Sequence, residues 1–392
     1  MDEKLLEGLL DRVASVADFI ADHADAGERD GNLDPAVYTA LREAGLFSLF
    51  MPKALGGMEV HPVIALSVWE AVARIDSSAG WNLAQASGGI GFSGRLGAKG
   101  FERIYGGGRL PIFAGAGNPP LTAQRCDGGF TVSGRVSFVT GCRHAEWLSF
   151  IAMPMADGQL EIHPATGGPA AKSMFFPCAD VEIVDNWNTL GMRGTGSADV
   201  VLNNRFVADE MVIDLSSPAV MQPGFTGPLY RMQSWPTILG EAVISIGIAA
   251  AAIELFKEAA PSRVPAMTQT ALRDREWVQL NIGRAQARVD AARAYLHQTM
   301  SAAYAAAADG GLDTKMKISL QLAACHAAEA SAGAVDLVHE AAGSSGIRNE
   351  QKFQRHFRDA HVCTQHATKS AARYVSAGRM ILGLGPDVPL LA

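Results

Sequence analysis

Cysteine is scarce in this chain, and the few residues present are far apart. The five cysteines are Cys126, Cys142, Cys178, Cys325 and Cys363, and no CxxC pair occurs among them. This spacing is typical of neither a disulfide framework nor a zinc site, and it fits a reducing compartment. We therefore expect a cytoplasmic protein without a site metal.

Clusters of basic residues and long apolar runs are also lacking. The net charge is −7 and the sequence pI is about 5.8, so a nucleic-acid partner is not expected. The N-terminal residues are charged and amphipathic, unlike a signal peptide. The longest apolar stretch, 242–253, has twelve uncharged residues between Glu241 and Glu254, short of the ~20 that span a bilayer. We interpret it as a helix buried in protein and predict no membrane partner.

What is present predicts a globular protein with a large core, since 48% of the 392 residues are hydrophobic and 19% are charged. Residues 1–111 have a helical pattern, in which Asp34 and Pro35 mark a helix start. Residues 128–213 contain short alternating runs separated by turns, as in a small antiparallel barrel or sandwich. Long helical patterns return from residue 235, and 314–342 is predicted to be one helix.

Several short motifs, in the family's order, resemble the acyl-CoA dehydrogenase superfamily over nearly the whole chain. They are GLF at 45–47, MP at 51–52, GG at 56–57, DSS at 76–78, FVTG at 138–141, LGMRGTGS at 190–197 and RDA at 358–360. The resemblance implies an α+β fold with an N-terminal helical domain (1–118), a small middle β-barrel domain (119–225) and a C-terminal four-helix bundle (226–392). It also implies a homotetramer.

The base that the dehydrogenases use is missing. In the family a glutamate follows the alanine of RDA by seven residues, and this position is Ala367 here. A methyl group accepts no proton. Other members carry the glutamate on the preceding long helix, near Thr237 here, and Glu241 is the only carboxylate close to that place. The family segments that hold the adenylate half of FAD are absent too, which favours FMN and leaves FAD as the alternative.

The segment HVCTQH at 361–366 instead resembles the flavin monooxygenases of this fold, such as the oxygenase component of 4-hydroxyphenylacetate hydroxylase and dibenzothiophene monooxygenase. In those enzymes a histidine at the place of His366 lies near flavin C4a, and a Ser or Thr at the place of Thr140 lies near N5. The resemblance implies that a separate NAD(P)H:flavin reductase supplies reduced FMN. Oxygen then reaches a small organic substrate through a C4a-hydroperoxide. The predicted catalytic residues are His366 and Thr140, and the predicted flavin-binding residues are Phe138, Val139, Thr140, Gly141 and Arg193.

Four side chains are predicted to line the substrate cavity: Trp81, Gln85, His361 and Gln365. Phenol-hydroxylating relatives have a histidine shortly after the GW of 80–81, but no titratable side chain lies within 82–89 here. This favours sulfur, amine or indole-like substrates over phenols.

Structural interpretations compete with these assignments. On a continuous helix Asp359, Val362 and His366 share one face, so Asp359 and His366 would form a purely structural pair. Trp81 would serve core packing, and Arg193 would belong to a glycine-rich turn that needs positive φ angles.

Three hypotheses follow. The first is a two-component, FMN-dependent monooxygenase. The second is an acyl-CoA dehydrogenase-like oxidoreductase with a non-standard base such as Glu241. The third is a catalytically silent scaffold that keeps the fold for binding.

Overall fold

The computed structural model describes residues 2–156, 158–164, 167–215, 217 and 220–391. Helices form the first and last parts of the chain, and one sheet lies between them. The predicted α+β class and the order of helices, strands and helices are confirmed.

Six helices precede the sheet: α1 (Glu3–Asp30), α2 (Pro35–Glu43), α3 (Pro62–Ile75), α4 (Ser77–Ala86), α5 (Gly88–Ser93) and α6 (Ala98–Tyr105). The predicted start of α2 is confirmed, because the Asp34 side chain accepts a hydrogen bond from the backbone N–H of Ala36 at 2.7 Å. Asp76 caps α4 in the same way through the N–H of Ala79. This cap fixes the first turn of the helix that carries Trp81 and Gln85.

Among the described residues eight strands form the sheet: β1 (Phe113–Cys126), β2 (Gly129–Val139), β3 (Trp147–Ala156), β4 (Gln159–Leu160), β5 (Lys172–Pro177), β6 (Glu182–Val184), β7 (Ala198–Ala208) and β8 (Val212–Asp214). Their order is β6-β7-β2-β1-β3-β5-β8, with β4 paired to β3. Because β1 and β3 run parallel, the expectation of a wholly antiparallel domain is wrong at this pair.

Strand β1 has no counterpart among the predicted strands. Its first half contains Gly115, Gly117, Pro119 and Pro120, and these residues dilute the alternating pattern by which strands are detected. The register between β1 and β3 shifts within this stretch, between Ala116 and Leu121. The predicted domain boundary at residue 119 falls inside β1.

Six helices follow the sheet: α7 (Pro228–Arg231), α8 (Trp235–Ala259), α9 (Glu276–Ala308), α10 (Thr314–Ala342), α11 (Lys352–Cys363) and α12 (Ala371–Ile381). The predicted helix at 314–342 is confirmed as α10. Helix α9 buries an apolar stripe at helical spacing, formed by Val278, Ala285, Val289, Ala292 and Leu296.

Helix α8 lies in the middle of the core. It has 25 residues and a mean hydropathy of 1.9 in its most apolar window, so among the described helices it alone meets the length and composition of a membrane span. Since 83% of that window is buried inside the protein, we assign it as a core helix, as predicted. Glu241 lies in its second turn and is buried as well.

Glycine lets α3, α4 and α8 approach at backbone distance. A Cβ on Gly247 of α8 would lie 2.7 Å from the Cβ of Ala73 and 2.9 Å from the carbonyl oxygen of Glu70, both on α3. A Cβ on Gly80 of α4 would lie 2.9 Å from the same Ala73 Cβ. This close packing holds the side chains of α4 against those of α8.

Candidate active site

Three of the predicted residues meet in one buried cluster. Trp81 of α4 donates from Nε1 to Oγ1 of Thr140, which follows β2, at 3.2 Å. On its other side the Trp81 ring meets the ring of His366 edge-on, with centroids 5.4 Å apart. The helix, the strand end and the turn after α11 therefore converge on Trp81.

Glu241 is the carboxylate of this cluster. Its Oε1 accepts a hydrogen bond from Gln85 Nε2 at 3.0 Å. Its Oε2 accepts one from Thr368 Oγ1 at 2.9 Å and lies 3.0 Å from Nδ1 of His366. Burial alone would raise the pKa of Glu241, but the neighbouring His366, Lys369 and Thr368 hold it below its ordinary value. The carboxylate is therefore ionised at neutral pH.

Lys369 supplies a buried positive charge beside it. Nζ donates to the backbone carbonyl of Glu241 at 2.9 Å and lies 4.0 Å from the carboxylate Oε2. It also lies 4.2 Å from the centre of the Trp81 ring, in cation–π geometry. Burial lowers the pKa of Lys369, and the charge of Glu241 opposes that shift. The two buried charges compensate each other, as buried ions must.

The surroundings of His366 determine which ring nitrogen carries a proton. A carboxylate accepts hydrogen bonds only, so Nδ1, at 3.0 Å from Glu241 and 2.8 Å from Thr368 Oγ1, is the nitrogen that holds the hydrogen. Nε2 makes no hydrogen bond to any residue that the structure describes. The side chain is 32% exposed, so Nε2 is available to a bound molecule.

A chain of hydroxyl groups orients Thr140. Its Oγ1 lies 2.7 Å from Ser197 Oγ, which lies 2.8 Å from Thr195 Oγ1. Thr195 donates to the carbonyl oxygen of Met192 at 2.8 Å. Because each hydroxyl has one proton and the chain ends on a carbonyl, the protons all point toward Met192. Thr140 therefore donates to Ser197 and presents a lone pair to any group beside it.

Two residues that flank Thr140 in the chain have positive φ angles, and one of them exposes an aromatic ring. Phe138 adopts the left-handed region, at φ 63°, and its side chain is 67% exposed, with the edge of Trp187 as a neighbour. Gly141 has φ 69°, and a Cβ there would lie 2.7 Å from Asn82 Oδ1. An exposed aromatic ring two residues from an oriented hydroxyl acceptor fits the edge of a flavin. The Val139 side chain faces the core instead, so only its backbone is available to a cofactor.

A cavity of about 460 Å³ adjoins the cluster. Ser87 and Thr237 both line it, and their hydroxyl groups hydrogen-bond at 2.9 Å. Ser87 lies two residues after Gln85, and Thr237 lies one helical turn before Glu241. A larger, open cleft of about 670 Å³ is lined mainly by charged side chains of α1 and α11. Its ion pairs, such as Arg355 with Asp25, serve the contact between these helices.

Three predicted residues lie outside the cluster. His361 bonds to Asp336 at 2.8 Å, on the far side of α11. Gln365 is exposed and donates to the Thr364 side chain. Arg193 donates to Glu28 O, Asn188 Oδ1 and Thr189 O. These hydrogen bonds attach its own turn to helix α1. It borders the charged cleft rather than the cavity.

The structural pairing of Asp359 with His366 is wrong. Helix α11 ends at Cys363, so the two residues do not share a helical face. Asp359 instead accepts hydrogen bonds from Ser77 Oγ and from the N–H of Met192, each at 2.6 Å. The contact to Met192 joins α11 to the turn that ends the hydroxyl chain.

Several site residues were not predicted: Ser197, Thr195, Thr368 and Lys369. Ser and Thr in a glycine-rich turn carry no distinctive sequence signal, because such residues are common in turns. Lys369 and Glu241 do have a recognisable sequence signal, because each is an isolated charge in a segment that is otherwise apolar or uncharged. Among the described residues no group of three or more His, Cys, Asp and Glu side chains is placed to hold a metal ion.

Comparison with known families supports the assignment from geometry. The N-terminal domain model of acyl-CoA dehydrogenases matches residues 7–97, and the C-terminal domain model matches residues 239–371. Together the two matches span more than half of the chain. They contain Trp81, Gln85, Glu241, His366 and Lys369.

Individual relatives are similar over almost their whole length. Indole-3-acetate monooxygenase from Pseudomonas putida is 28% identical over 386 residues, 98% of this chain and 94% of the relative. The oxygenase subunit HsaA of a flavin-dependent monooxygenase from Rhodococcus jostii is 28% identical, over 88% of this chain and 90% of the relative. The structure of XiaF from a Streptomyces species, in complex with FADH2 and glycerol, has a TM-score of 0.88 at 25% identity, over 99% of this chain and 98% of XiaF. The chain belongs to the acyl-CoA dehydrogenase superfamily, and two of these relatives are named as monooxygenases, one of them flavin-dependent.

Proposed function

We propose that the chain is the oxygenase component of a two-component flavin-dependent monooxygenase. It takes reduced flavin from a separate NAD(P)H:flavin reductase and uses O2 to oxygenate a small organic substrate that contains an aromatic ring or a heteroatom. One observation carries the proposal. His366, with its Nδ1 against Glu241 and an available Nε2, and Thr140, with an oriented hydroxyl, both contact the Trp81 ring, in a region where dehydrogenases of this fold have a free carboxylate.

The cofactor is reduced flavin, which supplies the two electrons that activate O2. Phe138, Thr140 and the backbone of Val139 and Gly141 are the residues that would hold its ring system. The N5 position of reduced flavin carries a hydrogen, and Thr140 presents an acceptor. Missing adenylate motifs favour FMN, whereas XiaF was solved with FADH2. Titrations with both reduced flavins therefore decide the choice.

Each residue of the cluster has its own role in the proposed reaction. His366 donates or accepts a proton at Nε2 while Glu241 keeps its ring in one orientation. Lys369 compensates the carboxylate and lies over Trp81, so the indole stays fixed between Thr140 and His366. The mostly apolar cavity excludes water from the reacting groups.

The proposal is tested with purified protein, enzymatically reduced FAD or FMN, and ¹⁸O2. We expect ¹⁸O in the product, and we expect His366→Ala to abolish oxygenation while more H2O2 is released. His361→Ala is the matched control, because this nearby histidine bonds to Asp336 outside the cluster. Unchanged product yield in His366→Ala would remove this residue from the reaction.

In the dehydrogenase hypothesis Glu241 would be the base that takes a proton from the substrate. A base must face the substrate, but Glu241 is buried, is not among the lining residues of the cavity, and bonds through both oxygens to protein side chains. Reduction of bound FAD by a panel of acyl-CoAs would establish the dehydrogenase reading and overturn ours. If the protein binds flavin in neither redox state, only the hypothesis of a catalytically silent scaffold remains.

We extend the proposal to assembly and location. Exposed apolar side chains are concentrated near the C-terminus, at Val375, Ile381, Leu382 and Leu384. They support the homotetramer that the family resemblance implies. All five cysteines are free thiols, which supports a cytoplasmic location.

A further inference from the structure

The cavity beside the cluster has mainly apolar walls. Phe50, Ile90, Phe92 and Leu229 are among its lining residues, together with the Tyr230 ring. The hydroxyl of Tyr230 already donates to the carbonyl of Phe50 at 3.0 Å. A volume of about 460 Å³ with such walls suits a flat organic molecule of one or two rings.

Arg95 is the only charged side chain among the described residues that line this cavity. Its Nη2 donates to the backbone carbonyls of Asp214 and Ser217, at 3.0 and 3.1 Å. Neither Nε nor Nη1 donates to a described residue, and Nε is buried. Arginine stays protonated at any ordinary pH. The cavity therefore contains a half-buried cation with unused donors.

Arg95 has no ion-pair partner among the described carboxylates, although the charge of Asp214 opposes the lowering of the Arg95 pKa by burial. Asp214 forms its ion pair with Lys172 at 3.4 Å. A buried charge without a counter-ion is costly, so an anionic group of a ligand would gain both charge compensation and hydrogen bonds there. Guanidinium groups match carboxylates especially well.

We propose that Arg95 forms a carboxylate subsite, so that the substrate is a flat aromatic acid with its ring against the apolar walls. This proposal rests on the proposed function, since it names the substrate class of the same site. Ser87 and Thr237 also line this cavity, and in the chain they lie close to Gln85 and Glu241 of the cluster. An acid anchored at Arg95 would therefore lie in the cavity whose lining is connected to the cluster through α4 and α8.

The test compares acids with their uncharged amides. Equilibrium dialysis of the full chain measures binding of indole-3-acetate against indole-3-acetamide, and of phenylacetate against phenylacetamide. We expect at least one acid to bind at least tenfold more tightly than its amide. Arg95→Gln should weaken binding of that acid at least tenfold and change binding of the amide less than twofold. Arg109→Gln is the control, because Arg109 is exposed and lies outside the cavity.

Two results would overturn the subsite. One is equal binding of acid and amide by the wild type in both pairs, which needs no variant and so does not depend on the folding of Arg95→Gln. The other is an equal loss of acid and amide binding in Arg95→Gln, as a purely structural role predicts. Because dialysis requires no turnover, failure of ¹⁸O incorporation would count against the proposed function and leave the acid preference intact.

Discussion

The orientation of the His366 ring depends on Glu241, which lies far from it in the sequence. Gln85, Thr368 and Lys369 in turn hold Glu241 in place. The arrangement resembles other sites in which a third group orients a catalytic base. Glu241 is thus a positioning residue in the proposed reaction, not a base for the substrate.

Glu241→Gln should therefore uncouple oxygen use from product formation. The amide has no charge to hold the Nδ1 proton of His366 or to compensate Lys369. We expect product formed per flavin oxidised to fall at least about tenfold, or about 1.4 kcal/mol, with a matching rise in H2O2 and little change in flavin affinity. Glu254→Gln, on the exposed part of the same helix and paired with Lys257, should behave as wild type. An unchanged product yield would show that Glu241 does not position His366.

The hydroxyl chain predicts a preference for reduced flavin. While Thr140 donates its hydrogen bond to Ser197, it can only accept one from a bound flavin, and only reduced flavin offers a hydrogen at N5. In Ser197→Ala the Thr140 hydroxyl is free to turn and donate to oxidised flavin. The ratio of the oxidised to the reduced Kd should fall by about fivefold, as expected for one hydrogen bond of about 1 kcal/mol. Anaerobic fluorescence titrations measure both constants.

Ser87→Ala is the control for this experiment. Ser87 is also a buried serine bonded to a threonine hydroxyl, but its partner is Thr237 and it lies outside the chain. If Ser87→Ala and Ser197→Ala change the ratio equally, the oriented chain is not the cause.

At the scale of elements, Asp359 connects three parts of the fold. From α11 it accepts hydrogen bonds from Ser77 at the start of α4 and from Met192 in the turn before β7. Burial raises its pKa from 3.8 to about 6, although these two hydrogen bonds act in the opposite direction. Compared with the unfolded chain, the folded protein thus holds the Asp359 proton up to a higher pH.

The sign of the resulting pH dependence follows from proton uptake. Between about pH 4 and pH 6 the folded state binds a proton at Asp359 that the unfolded chain has lost. The contribution of Asp359 to the free energy of unfolding therefore falls as the pH rises through this window, by up to about 3 kcal/mol. Asp359→Asn lacks this titration. Urea unfolding of both proteins from pH 4.5 to 7 should show wild type losing stability relative to the variant, whereas parallel curves would contradict the assignment.

Element boundaries explain which of the predicted site residues lie together in the cluster. Trp81 and Thr140 could be placed because each stands next to a recognisable feature: a capped helix start at Asp76, and a strand that ends in glycine. His361 and Gln365 were misplaced since their segment was treated as one helix. Helix α11 ends at Cys363, and the turn that follows gives each side chain its own direction. Sequence periodicity does not contain that information.

At the scale of the whole molecule, the order of helices, sheet and helices could be predicted from pattern changes. Hydrophobic periodicity is a local property, and α8 to α10 are long enough to express it clearly. The parallel pairing of β1 with β3 and the contacts of Glu241 could not be predicted, because they join segments far apart in sequence. Arg95 could not be predicted for the same reason, because only the folded cavity shows that it forms no ion pair with a described carboxylate.

Assembly is testable at this scale. We expect a particle of about 165 kDa, four times the 41.3-kDa chain, by light scattering after size-exclusion chromatography. Ile381→Asp should lower this mass, because a charge at a buried interface is costly. Leu160→Asp, at an exposed residue of the sheet, should leave it unchanged. A wild-type mass of a single chain would refute the tetramer.

The cluster has one more consequence, which concerns the order in which a ribosome makes its parts. Trp81 and Gln85 are synthesised early, Glu241 later, and His366 with Lys369 close to the end. A growing chain that already presents Thr140 and Phe138 still lacks the imidazole and its buried counter-charge. Because Lys369 is made last of these residues, a polypeptide interrupted before it carries an incomplete cluster, without the groups that are proposed to direct oxygen to a substrate.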